Sequence, residues 1–133
     1  MDYDITLEEI EQALEELTEE NQTVPIIVEG KKDVNALRKL RINGKIIPLN
    51  TGEPLSTFCD HLAQQYSHVI LLTDWDRKGG HLFSLIKKYL KGRVTCNDSY
   101  REVFASHSLT RTVEGFPAWI NTLKRKINVE KHP

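Results

Sequence analysis

Glu29, Asp74 and Asp76 are the residues of this chain whose types and spacing could carry chemistry. Each follows a short apolar run. Val24-Pro25-Ile26-Ile27-Val28 leads into Glu29-Gly30, and Val69-Ile70-Leu71-Leu72 leads into Thr73-Asp74-Trp75-Asp76. Continuous Val/Ile/Leu runs of this length are how parallel strands buried on both faces read. Ligands of open α/β sheets gather beyond the carboxyl ends of such strands, where the strand order reverses. Three carboxylates at that edge would form a cradle for a hard divalent cation and the phosphate it carries. Asp74 and Asp76 are two residues apart, so both face the same way if the chain is still extended there. Glu29 lies 45 residues earlier in the chain and reaches them only if the first and third strands are neighbours. That requires the strand order 2-1-3-4. The same edge would hold the N-termini of the helices after Gly30 and after Asp76, whose free amides favour phosphate.

The elements that must position these acids can be read along the chain. Thr6-Leu7-Glu8-Glu9 is a capping-box pattern, and Leu7, Ile10, Leu14 and Leu17 repeat behind it at helical spacing, predicting a helix over 7–20. A first strand over 24–28 follows, with Pro25 near its start because it has no amide to donate. A helix from Lys31 to Leu40, a strand over 45–49, a helix over 54–66 and a third strand over 68–73 come next. Gly79-Gly80 precedes a helix over 81–90 with Leu82, Leu85, Ile86 and Tyr89 inward, and a short strand over 93–96 follows. Residues 99–107 suit a short helix. Thr112 is placed to cap a last helix to about 127, with Pro117 in its first turn and Phe116, Trp119, Ile120 and Leu123 buried. Strands alternating with helices specify a parallel sheet with helices on both faces.

Bulk properties narrow the class. The 133 residues are 39% hydrophobic and 28% charged, which suits one globular domain. No run is long enough to span a bilayer, and the acidic N-terminus lacks a signal-peptide pattern. Cys59 and Cys96 lie far apart without metal-type spacing and read as reduced thiols, so a cytoplasmic location is expected. The net charge of −1 conceals a division: residues 1–30 hold ten of the nineteen Asp/Glu and no Lys or Arg. All eighteen Lys/Arg lie beyond, so a strongly basic body follows an acidic leading helix. Such a body suits nucleic acid as a partner, or it solvates helix faces.

Val28-Glu29-Gly30-Lys31-Lys32-Asp33 and Leu72-Thr73-Asp74-Trp75-Asp76-Arg77-Lys78-Gly79 together resemble the two motifs of the Toprim domain. That domain is shared by type IA and type II topoisomerases, bacterial-type primases, recombination-repair proteins, certain nucleases and a ribonuclease that matures ribosomal RNA. The resemblance runs over about 22–127 and is nearest to small stand-alone proteins of archaea and some bacteria. Thr112-Val113-Glu114-Gly115-Phe116-Pro117 is similar to the end of those proteins. The resemblance implies a three-layer α/β/α fold around a four-stranded parallel sheet, with 22–133 as the Toprim-like domain, preceded by residues 1–21 as the acidic amphipathic helix read above. It implies Mg²⁺-dependent phosphodiester chemistry on DNA or RNA, in a nuclease-, primase- or topoisomerase-like protein. Asp74 and Asp76 match the metal-binding acids, and Glu29 matches a general acid/base or additional ligand. Arg77 stands where an arginine meets phosphate, and Lys31, Lys32 and Lys78 are phosphate neighbours.

The chain also departs from the family's pattern. Lys78 occupies the place where some members carry a third acid. Tyr3, Tyr66, Tyr89 and Tyr100 have no topoisomerase context, and the further domains of primases are absent, so partner proteins would have to supply them. A nucleic-acid-binding or RNA-processing module without turnover is the alternative, with a small-molecule phosphohydrolase third. A Walker phosphate loop is absent, the residue two after Asp76 is not the Thr or Val of haloacid-dehalogenase-type phosphatases, and the five histidines lack zinc-ligand spacing.

Overall fold

The structure is a computed structural model describing residues 2–132. Four parallel strands, β1 (Ile26–Val28), β2 (Ile46–Pro48), β3 (His68–Leu71) and β4 (Thr95–Asn97), form one sheet in the order β2-β1-β3-β4. Six helices surround it: α1 (Tyr3–Glu20), α2 (Lys31–Lys39), α3 (Leu55–Gln65), α4 (Arg77–Leu90), α5 (Ser99–His107) and α6 (Phe116–Lys131). The strand order is the one the acids require. Ile26 pairs with Ile46 on one side and Ile70 on the other, so the carboxyl ends of β1 and β3 lie side by side.

Alternation along the strands divides the core into two layers. Ile26, Val28, Ile70 and Leu72 pack under α1, α2, α5 and α6, with Phe104 and Phe116 fully buried among them. Ile27, Val69 and Leu71 face the other way, onto Phe58, Cys59 and Leu62 of α3 and Ile86 and Leu90 of α4. Pro25 precedes β1, where its carbonyl accepts from the Ile70 amide at 2.9 Å and its missing donor costs nothing. Among the described residues no helix is long and apolar enough to cross a membrane.

Several boundaries differ from the sequence expectation, each for a local reason. Helix α1 starts at Tyr3 because the Asp2 carboxylate accepts from the amides of Asp4 and Ile5, and Thr6, expected to cap it, is buried inside. Helix α4 starts at Arg77, so Gly79-Gly80 lies within its first turn instead of preceding it. Its expected stripe also shifts: Ile86 and Leu90 are buried, whereas Tyr89 is exposed. Strand β4 is displaced to Thr95–Asn97. Helix α6 begins at Phe116 after Gly115, while the Thr112 hydroxyl accepts from the Gly115 amide within the preceding loop.

Candidate functional site

The strand-end acids meet across the β1–β3 pair. Glu29 leaves β1 and its Oε2 accepts the Asp74 backbone amide at 2.8 Å. One oxygen of Asp74, Oδ1, accepts the Val113 amide at 2.8 Å, so a loop far along the chain orients it. Asp33 belongs to the first turn of α2 and is buried, with Oδ2 accepting the Gly30 amide at 3.0 Å. These residues border an open cleft of about 670 Å³ whose lining includes five acids, Glu29, Asp33, Glu53, Asp74 and Glu114, and three lysines, Lys31, Lys32 and Lys78.

Asp76 is engaged differently from Asp74. Strand β3 ends at Leu71 and the backbone bends at 75–76, so the two-residue alternation of an extended chain is not kept. The Asp76 Oδ1 caps α4 by accepting the Gly79 amide at 2.7 Å, and Asp76 is not among the residues lining the cleft. Arg77, next along, is exposed on the first turn of α4 and also lies outside the cleft. The turn is tight. A Cβ on Gly79 would stand 1.9 Å from the Asp74 carbonyl oxygen, so only glycine lets α4 start this close to the acid loop.

Burial and mutual repulsion set the electrostatics. Burial raises the Glu29 carboxyl above its ordinary range, with Asp74, Asp33 and Asp76 adding to the shift and the Asp74 amide opposing it. Asp33 is raised by burial and then by Asp74, with a smaller push from Glu114. Asp74 is raised by burial, against the Val113 amide, with Asp76 and Glu114 pushing the same way as burial. Negative charge is thus concentrated here beyond what the chain neutralises.

Sequence reasoning gave no role to several residues that build the site. Arg101 of α5 donates from Nε to the Thr73 carbonyl at 3.1 Å and from Nη2 to the Asp74 carbonyl at 2.8 Å. Its guanidinium lies 4.5 Å from the Phe83 ring centroid. A planar fork of this kind fixes two successive carbonyls at once, which a lysine could not do. Trp75 anchors the same loop: its amide donates to the Arg111 carbonyl at 3.0 Å and its indole Nε1 to the Thr110 carbonyl at 2.7 Å. Its ring packs against Phe104 and Phe116. Asp33 was legible only as a first-turn acid suiting the helix dipole. Glu53 carries no local signal, and Glu114 stood only in the closing stretch that resembles the family, since each sits in a loop that the fold brings to the cleft.

The donor set fits a hard cation. It is rich in carboxylate oxygen, and its acids repel one another, a repulsion that a bound cation would relieve. Among the described residues no three His, Cys, Asp or Glu side chains close into a ready-made ligand group. Mg²⁺ does not demand one, because it commonly binds through one or two carboxylates while keeping waters and phosphate oxygens.

The sequence profile described as the Toprim domain matches residues 24–106. A UPF0292 protein of Thermoplasma volcanium is 42% identical over 99 residues, covering 74% of this chain and 83% of that protein. A UPF0292 protein of Methanocaldococcus jannaschii is 34% identical over 125 residues, covering 91% of this chain and 97% of its own length. A solved structure of a protein from Aquifex aeolicus superposes with a TM-score of 0.63 at 27% identity, over 72% of this chain and 88% of that one.

Proposed function

The chain belongs to the Toprim domain family, and from that premise we propose that it processes nucleic-acid phosphodiesters with Mg²⁺ bound at the acidic edge. The observation that carries the reading is Glu29 and Asp74, set on adjacent strands and joined through the Asp74 amide at 2.8 Å, in a cleft rimmed by lysines. Asp74, with the Asp76 oxygen not used in capping α4, would hold the cation, and Glu29 would serve as the general acid/base or, deprotonated, as an additional ligand. When bound, Mg²⁺ supplies charge neutralisation at the phosphate and offsets the charge of the transition state. Glu29 retains a proton more readily than an ordinary glutamate, because burial and its acidic neighbours raise its carboxyl. It is therefore suited to give a proton to a leaving oxygen or to take one from an attacking oxygen. Lys31, Lys32 and Lys78 contribute positive charge at the mouth of the cleft, where phosphate oxygens would approach. Arg101 holds the Thr73 and Asp74 carbonyls, and Val113 holds the Asp74 carboxylate, so the acid is orientated before substrate arrives.

The test is cleavage of single- and double-stranded DNA and RNA with and without Mg²⁺, by the wild type and by Asp74→Asn. Metal-dependent cleavage lost in the variant is expected. Cleavage that survives in Asp74→Asn would remove the assignment. A second reading, a nucleic-acid-binding module without turnover, draws support from the capping role of Asp76, which commits one oxygen of a motif acid to helix structure. Salt-sensitive binding with no cleavage under any divalent metal would select it.

A further inference from the structure

We propose that helix α4 is the track along which a nucleic-acid strand leaves the acidic cleft, its phosphates lying on the stripe Arg77, His81, Ser84, Lys88 and Lys91; this rests on the reading of the cleft given above. Arg77, His81, Ser84 and Lys88 recur at spacings of four and three residues, which places them on one face of the helix, Lys91 follows as its C-cap, and all five are exposed. The 14 residues of α4 include no Asp or Glu. At 1.5 Å per residue the helix extends about 21 Å, matching about six nucleotides of a stacked strand at 3.4 Å each. The stripe begins beside Asp76, the α4 cap, and ends at a groove of about 510 Å³ lined by Ser84, Lys87, Lys88, Lys91, Val94 and Cys96. That groove lies at β4, an edge strand of the sheet, paired on one side only.

Part of the basic surface of α6 is answered by acids of α1. Helix α1 packs on α5 and α6. Its Glu11 and Asp4 reach Lys124 and Lys131 of α6 at 4.0 and 3.3 Å. Its Glu15 and Glu19 share a depression with Arg41, just past α2. On the α3–α4 layer, Lys87 pairs with Asp98 and Arg93 with Asp60, whereas Arg77, Lys78, Lys88 and Lys91 have no carboxylate within 4.0 Å among the described residues. The acids of α1 thus answer part of α6, whereas α4 carries an exposed basic stripe with no acid of its own. A polyanion would be steered to that face.

The test measures binding of short fluorescent single-stranded and duplex DNA and RNA in EDTA, so that no metal contributes, across about 50 to 200 mM salt. Lys88→Gln/Lys91→Gln is compared with Lys124→Gln/Lys131→Gln, which removes the same charge from the α6 positions that α1 acids answer. The α4 pair should lose about tenfold in affinity, and the slope of log K against log salt should fall by about 1.4–1.8, two contacts' worth. The α6 pair should stay near wild type. Equal losses in both pairs, no loss in the α4 pair, or no binding by the wild type would overturn the track. Equally tight binding of a polyglutamate chain would overturn its commitment to nucleic acid. Mg²⁺ calorimetry on the same proteins separates the two failures. Loss of the track with Mg²⁺ binding intact leaves the cleft reading standing, and binding on α4 without any Mg²⁺ site removes only the cleft reading.

Discussion

Two adjacent glycines should respond to alanine with opposite signs. In Gly79→Ala the new methyl would lie 1.9 Å from the Asp74 carbonyl oxygen, 2.5 Å from its carbon and 2.9 Å from its Cα. All three are backbone atoms, so no side chain can move aside. Opening the nearest contact to 3.0 Å needs a displacement of about 1.1 Å. One side of that contact is held by Arg101 on the Asp74 carbonyl at 2.8 Å. The other is held by the Asp76 cap on the Gly79 amide at 2.7 Å and by the Thr73 hydroxyl donating to the Gly79 carbonyl at 3.1 Å. Forced overpacking costs about 1–3 kcal/mol. A strained cap adds about 1 kcal/mol, and the better helix propensity of alanine returns about 1 kcal/mol. The net is a loss of about 2 kcal/mol, or about 6–10 °C in Tm for a domain of this length. Gly80→Ala meets only the Arg101 Nη2 at 3.9 Å, an ordinary contact. It should be neutral or stabilising by up to about 1 kcal/mol. Urea and thermal unfolding of both variants are the assay, with Mg²⁺ calorimetry beside them, since a shift of about 1 Å at Asp74 should also weaken the metal site. Equal stability of the two variants would refute the close approach of α4 to the acid loop.

Other outcomes follow from the same site. The carboxyls of Glu29, Asp33 and Asp74 are raised in the folded state, so the stability they add is full below their unfolded pKa values and is lost as pH rises through the raised ones. Asp74→Asn keeps an acceptor for the Val113 amide while removing one charge, so urea unfolding should show a shallower stability loss from about pH 4 to 7 than in the wild type. A steeper loss would contradict the repulsion argument. Mg²⁺ at a hundred times its Kd should stabilise the wild type by about 2.7 kcal/mol and leave Asp74→Asn unmoved in thermal scans. Arg101→Lys should destabilise by about 1.5–3 kcal/mol despite keeping its charge, because the fork to Thr73 and Asp74 is lost. Retention of full stability and metal affinity by Arg101→Lys would reduce Arg101 to a surface cation. Trp75→Phe should cost about 1 kcal/mol in urea through the lost bond to the Thr110 carbonyl.

Much of this protein was legible before folding. The apolar runs ending at Val28 and Leu72 identify buried parallel strands because such strands have no polar face to alternate. Acids placed after both runs define the sheet edge and, through the reach between Glu29 and Asp74, the order β2-β1-β3-β4. Local periodicity located all six helices, since an amphipathic stripe is encoded within one element. What the sequence could not supply are contacts whose partners are distant in the chain. Val113 and Arg101 orient Asp74 from 39 and 27 residues away, and neither has a local pattern that announces it. The separate roles of Asp74 and Asp76 also depend on the tertiary structure. Whether an acid after a strand faces a cleft or caps a helix is decided by where the next helix starts. Here that start is set by the Asp74 carbonyl filling the space that a side chain on Gly79 would need. Composition recorded an acidic leading segment and a basic body, but only packing could place α1 against α5 and α6 and leave α4 uncovered. Charge is a property of residues, whereas the surface on which it remains unpaired is a property of the fold.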